Sequence, residues 1–497
     1  MNRKEPVKGA DFINVSILLA VALCIGVYLI ITAFLIAKDG TTFIRYAQNL
    51  SIEPLKTMHN EDQHPGFPCM ILAAHGTTDL LSKDTTILRW IFCGQSVALI
   101  FRLFAVVVLY FLAKRLVGAS QGFWAVLILI ILPAPAEYGS DVLSEWPHLF
   151  FLLSGFLLLI IGARNKKCWP FGLAGITAGA GYLVRPECAQ VIVIGCLWLL
   201  IQMLRSKSTS DKVKTLSGLV VLIMGFLIIA GPYMKFKGAI FPKKSIVPPT
   251  SLQDSETNST EEQPLSQTTR ESRFAPLKIA RAFGRLVSNT GETLMLFFVP
   301  ALLIGMLKSF WSSKWFEPNI FLVAAIVLLN IPVMVWLYCG YGYMADRHTL
   351  PMLLIPILYV PAGLSDMARW LNGKFPGRNE RFWFLVLLVI GICVCAPKLL
   401  RPIRLEQQGY RAAAEWLKTN TEPADTVAVP DPRISFYAER KGMVYENAAI
   451  PENAEYIVQI LKKGDNKTAL PGQYGKVVYE HPVGKKDEDN VIIYRKM

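Results

Sequence analysis

The residues of this sequence that could do chemistry are carboxylates, histidines and arginines set at the ends of apolar runs. Asp39 stands directly behind the first run, in Ala37-Lys38-Asp39-Gly40, and His64 opens His64-Pro65-Gly66-Phe67-Pro68. Glu137, Asp141 and Glu145 precede another run, Arg185-Pro186-Glu187 splits two runs, and Asp346-Arg347-His348 precedes a further one. A carboxylate or an imidazole can accept or return a proton, and a planar guanidinium can hold two oxygens of an anion at once. Ionisable groups at membrane depth are costly, so several at one boundary point to a shared cavity. Taken singly, each is equally well explained as a helix-end charge lying in lipid head groups. Pro186 is needed by the tight turn alone. Arg102, inside a run, has snorkelling or a buried partner as alternatives to function.

These residues must be positioned by membrane spans. The chain has 497 residues, 53% hydrophobic and 18% charged, which fits a polytopic membrane protein and neither an ordinary soluble domain nor a disordered chain. Residues Phe12 to Ala37 are long enough to cross a bilayer of about 30 Å at about 1.5 Å per residue and read as a retained helix. Further runs at 87–112, 119–136, 142–163, 168–184, 187–204, 215–234, 291–310, 318–339, 348–369 and 382–397 bring the expectation to about eleven spans. Segments such as Arg164 to Lys167 and Arg205 to Lys214 gather the basic residues, whereas the short loops of the other side hold only Arg185 and Arg347. The positive-inside rule therefore places Asp39 outside. The net charge of +14 is accounted for by these loops, with no nucleic-acid module implied. Nine scattered cysteines show neither a disulfide framework nor zinc spacing.

The outer side carries three long pieces. Residues 38–86 contain a half-buried or re-entrant helix begun by Pro65 or Pro68. Residues 235–290 pass through a Ser/Thr/Gln/Glu-rich stretch, 251–272, expected to be mobile. They end in an amphipathic helix with Ile279, Phe283, Leu286 and Val287 on one face and Lys278, Arg281 and Arg285 on the other, the pattern of a helix lying against anionic head groups. The tail, residues 401–497, reads as a small α/β domain. Helices are expected at Gly409–Asn420, Ile434–Arg440 and Ala454–Lys463, strands at 426–430 and 443–446, and a closing hairpin at 476–479 and 491–494.

Asp39 with Tyr46-Ala47, His64-Pro65, the run Val106 to Gly118, Leu143-Ser144-Glu145, Tyr182-Leu-Val-Arg185-Pro186-Glu187 and Arg347-His348-Thr-Leu-Pro351 resemble, in order and spacing, the GT-C glycosyltransferases. That superfamily includes protein O-mannosyltransferases and bacterial aminoarabinose transferases. Gly40 stands where many members have a second acidic residue. The resemblance covers roughly residues 10–400. It implies an α-helical GT-C-like membrane domain, 1–400, with an extracytoplasmic domain at 401–497. It also implies transfer of a sugar from a polyprenyl-phosphate donor to a glycan, lipid or protein acceptor on the outer face. Asp39 is then the catalytic base and Arg185 and Arg347 the phosphate ligands. His64, Asp141, Glu145, Glu187 and His348 serve the substrates, and Lys278, Arg281 and Arg285 the lipid. No cofactor is assigned with certainty, and a divalent metal stays open.

A transporter or lipid flippase is the alternative from another class, but transporter sites lie near the midplane between repeated halves, and these groups gather at one boundary. A scaffold with a binding tail ranks last. The expected place is a bacterial inner membrane, with the site and the C-terminus outside.

Overall fold

The computed structural model describes residues 8–79, 86–240, 276–312, 317–375, 377–445, 451, 453–462, 474–484 and 489–496. The stretch 251–272, expected to be mobile, lies outside the described residues. The first helix, α1 (Lys8–Thr32), is followed by a non-helical segment, 33–37, and three shorter helices, α2 (Lys38–Ile52), α3 (Pro54–Asn60) and α4 (Gly66–Asp79). Then come α5 (Ile87–Leu116), α6 (Ala119–Ile131), α7 (Pro133–Tyr138), α8 (Glu145–Asn165), α9 (Trp169–Val184), α10 (Gln190–Arg205) and α11 (Thr209–Lys237). The rest of the helical body is α12 (Pro276–Thr293), α13 (Val299–Ser312), α14 (Pro318–Tyr341), α15 (Leu350–Leu353), α16 (Val360–Lys374) and α17 (Glu380–Leu399).

Among the described residues, seven helices are long and apolar enough to cross a membrane, or eight if the pair Asp346–Leu353 and Pro356–Lys374, bent by 57°, is one span. The chain is a multi-pass integral membrane protein. The eleven apolar runs all contribute helix, but several are shorter or broken, in α6 because proline removes a backbone donor. Pro133 and Pro135 cannot donate into α6, so that helix stops at Ile131 and a separate turn, α7, begins. α6 and the first segment of α13, Val299–Ser309, count only as shorter apolar helices. α9 and α11 approach closely enough that a Cβ on Gly175 would land on the Leu222 carbonyl and one on Gly225 on that of Gly172. This is the small-residue contact that lets membrane helices pack without a hydrophobic drive.

One expectation differs in a way that matters for the site. The first run does not carry helix to Ala37: α1 ends at Thr32, and Asp39 lies instead in the first turn of α2, whose buried face is Gly40, Thr41, Phe43, Ile44, Tyr46, Ala47 and Leu50. The helix expected to begin at Pro65 or Pro68 is α4, which starts at Gly66, immediately behind Pro65.

Past α17 the tail forms α18 (Gln408–Asn420), β1 (Thr426–Val429), α19 (Pro432–Ala438), β2 (Lys441–Val444), β3 (Tyr456–Lys462), β4 (Tyr474–Pro482) and β5 (Asp489–Lys496). The strands make one sheet in the order β2-β1-β3-β5-β4, parallel on the β1 side and antiparallel on the β5 side. The helix expected at Ala454–Lys463 is strand β3. Ile457, Val458 and Ile460 suit a pleated surface, and β1 and β5 pair with β3 on its two edges, which outweighs a local helical reading.

Candidate active site

Four backbone interruptions present the charged groups. Asp39 occupies the first turn of α2 and Glu145 that of α8, where a carboxylate meets the positive end of the helix dipole. Arg185 takes an extended conformation (φ −151°) between α9 and the 3-10 turn Pro186–Ala189. Arg347 lies in the 3-10 turn Asp346–Thr349, reached after α14 ends at Gly342 with φ +74°.

These interruptions bring the side chains into one row. The Arg347 Nη2 donates to Asp39 Oδ2 at 2.6 Å, and its Nε lies 3.6 Å from Glu145 Oε1. The same Glu145 oxygen accepts from Arg185 Nη1 at 2.9 Å, and Arg185 Nη2 donates to Glu187 at 3.2 Å. Glu145 is buried and Arg185 nearly so, whereas the Asp39 carboxyl is 46% exposed. The row thus runs from an accessible carboxylate into a sheltered interior.

Asp141, grouped with these carboxylates in the sequence, is fully buried and points elsewhere. Its oxygens accept from the Ala37 N–H at 3.1 Å and the Val142 N–H at 2.7 Å, and Arg404 Nη1 pairs with it at 2.7 Å. Arg404 also lies 3.7 Å from Glu137. Its guanidinium is held above its ordinary range: burial lowers it, and the nearby Asp141 and Glu137 more than offset that. Arg404 had no place in the sequence reading, although Arg401-Pro-Ile-Arg404 follows the last span at the same boundary and the same boundary argument would have found it.

His64 is buried edge-on to Tyr182, ring centroids 5.0 Å apart, with Tyr233 at 5.3 Å. His348 follows Arg347 and is half-buried. On α12, Ala282, Leu286 and Asn289 are buried, with Asn289 donating to the Met344 carbonyl at 3.1 Å. Phe283 and Val287 remain exposed beside Arg281 and Arg285. Arg285 comes within 3.8 Å of Asp346. Lys278 is half-buried. Arg102 is completely buried, and its Nη2 donates at 2.9 Å to the Ile130 carbonyl, an acceptor at the α6 break. Among the described residues no group of three or more His, Cys, Asp or Glu side chains is placed to hold a metal ion.

Residues 63–229 match the family model for dolichyl-phosphate-mannose-protein mannosyltransferase. Solved structures match over nearly the whole chain. ArnT from Cupriavidus metallidurans bound to undecaprenyl phosphate is 14% identical with a TM-score of 0.54, and the match covers 96% of this chain and 97% of that one. The chain has the GT-C glycosyltransferase fold. The archaeal oligosaccharyltransferase AglB from Archaeoglobus fulgidus, in complex with an inhibitory peptide and a dolichol-phosphate, is 13% identical with a TM-score of 0.52. That match covers 91% of this chain and 70% of AglB. No curated protein sequence matches. The GT-C family-model match takes in His64, Asp141, Glu145, Arg185 and Glu187, while Asp39, Arg347 and His348 lie beyond it.

Proposed function

We propose that this chain is a glycosyltransferase that moves a sugar from a polyprenyl-phosphate-linked donor to a hydroxyl acceptor on the outer face of the membrane. The observation that carries the reading is the row from Asp39 through Arg347 and Glu145 to Arg185, a proton acceptor beside two guanidinium groups. In the reaction the acceptor oxygen attacks the anomeric carbon and its proton passes to Asp39. The bond from that carbon to the phosphate oxygen breaks, and polyprenyl phosphate departs as an anion held by Arg347 and Arg185. The relatives with undecaprenyl phosphate and dolichol-phosphate bound support a lipid phosphate as the leaving group.

Electrostatics gives the order of events. Asp39, Glu145 and Glu187 are three carboxylates against the two arginines of the row, so a donor phosphate enters by exchange. Arg347 is the place for it, because its partner Asp39 is the most exposed of the three. A phosphate taking the guanidinium frees the carboxylate, and the base becomes available only when the donor is seated. Lys278, Arg281 and Arg285 on α12 hold head groups near the same entrance.

A transporter is the second reading, and the gathering of the charged groups at one boundary instead of the midplane argues against it. Mass spectrometry of lipid-linked sugars in cells with and without the protein separates the two. Loss of the protein should cause one polyprenyl-phosphate sugar to accumulate while its acceptor stays unmodified. An unchanged lipid-linked pool with altered sidedness of a lipid would overturn the transferase.

A further inference from the structure

Residues 33–37 are non-helical, with Leu35, Ile36 and Ala37 buried between α1 and α2, so their backbone groups have no helix to satisfy them. Partners come from remote parts of the chain. The Phe34 N–H donates to the Ile403 carbonyl at 3.1 Å, and the Leu35 carbonyl accepts from Arg404 at 3.0 Å. The Ile36 N–H donates to the Tyr437 hydroxyl at 3.0 Å, and the Ile36 carbonyl accepts from Arg433 Nη1 at 3.3 Å. Asp141 takes the Ala37 N–H. Two of these partners, Arg433 and Tyr437, stand on α19 of the C-terminal domain.

We propose that the C-terminal domain positions the catalytic base, with Arg433 and Tyr437 holding Ile36 and through it the start of α2 and the Asp39 carboxylate. The inference rests on the reading of Asp39 as the base. It gives the tail a role in the reaction beyond carrying a soluble surface.

Both clamping groups are fixed before they meet Ile36. Arg433, 3% exposed, donates to Asp431 through Nε at 2.9 Å and Nη2 at 2.8 Å, and Asp431 caps α19 by accepting the Arg433 N–H at 3.0 Å. Burial raises Asp431, but the hydrogen bonds and charge of Arg433 outweigh it and hold the carboxyl below its ordinary range. Tyr437 is pushed up to about 12 by burial, so its hydroxyl is neutral at physiological pH. The Arg411 guanidinium stacks 4.4 Å above its ring. The clamp continues into the next residue, where Lys38 Nζ lies 3.4 Å from Asp431. Asp39 follows in the rigid first turn of α2, so a shift of Ile36 is passed on to the carboxylate instead of being absorbed by a loop. Misplacement of a reacting group by about 1 Å can cost on the order of 10²-fold in rate.

The test is a double-mutant cycle. Tyr437→Phe removes the acceptor of the Ile36 N–H and keeps the ring; Arg433→Lys removes the forked contact. Each is made alone and with Asp39→Asn in the full-length protein. Transfer is read as consumption of the lipid-linked sugar pool that accumulates without the protein, and lipid affinity as binding of undecaprenyl phosphate to the purified protein. Each single variant should lower transfer roughly five- to tenfold, the worth of about one hydrogen bond, at unchanged undecaprenyl phosphate affinity. In the Asp39→Asn background neither should lower it further, because no base remains to be misplaced. Equal losses in both backgrounds, or no loss in either, would overturn the positioning role while leaving the base intact. Wild-type transfer by Asp39→Asn alone would remove the base, and this proposal with it.

Discussion

Arg347 touches both the exposed Asp39 and the buried Glu145, and its geometry is what a guanidinium provides and an ammonium does not. Arg347→Lys should therefore raise the donor concentration needed for half-maximal transfer about tenfold, and Arg185→Lys should act in the same direction. Titration of membranes with extracted lipid-linked donor checks this, and unchanged donor dependence in both lysine variants would take the arginines out of the phosphate site. Asp39, Glu145, Arg185 and Arg347 were legible in the sequence because a charge at the end of an apolar run stands out. Asp431 and Arg433 were not, since charges in a polar tail are ordinary and only their partners Ile36 and Lys38 make them unusual; Arg404 stands at the same boundary as the others and was passed over. Arg102 was visible but unassignable, because its acceptor is a carbonyl at Ile130 and no side-chain pattern reports a carbonyl.

The helices were legible as apolar runs; their ends were not. Hydropathy continues from Thr32 to Ala37, and what stops the helix is the set of distant partners that reward a non-helical backbone there. The same non-local effect made β3, which both sheet neighbours fix, read as a helix from its own residues. The α9 to α11 contact leaves no room for a side chain, so Gly175→Val should force the helices apart and lose several kcal/mol, seen as failure to give a monodisperse peak in detergent. α19 docking should depend on pH through Asp431. Its folded value is lowered, so the contribution is complete above the unfolded carboxylate value of about 4 and is lost as pH falls through the folded one. Protection of the 433–438 amides relative to their intrinsic exchange rates should fall below about pH 4, and Asp431→Asn should show that lower protection already at pH 7.

For the whole molecule, we propose from the distribution of basic residues that the Asp39 loop and the C-terminal domain lie on the outer side. With the native exposed cysteines replaced, Lys441→Cys should react with an impermeant reagent on intact cells and Lys212→Cys only after the membrane is opened; both positions are exposed. The reverse pattern would place the row inside and take the proposed acceptor side with it. The GT-C fold itself was readable from the order of the boundary motifs. The docking of the tail on residues 34–36 was not, because it joins positions about 400 residues apart.

The central claim is that Asp39 removes the proton of the attacking hydroxyl, and Asp39→Asn tests it most directly. The asparagine keeps the size of the side chain and one acceptor oxygen but loses the charge. Transfer, measured as consumption of the accumulated lipid-linked sugar, should fall by a factor on the order of 10² to 10⁴, the usual worth of general-base catalysis, while expression and undecaprenyl phosphate binding persist. Transfer at close to the wild-type rate would contradict the account and leave Glu145 as the next carboxylate to examine.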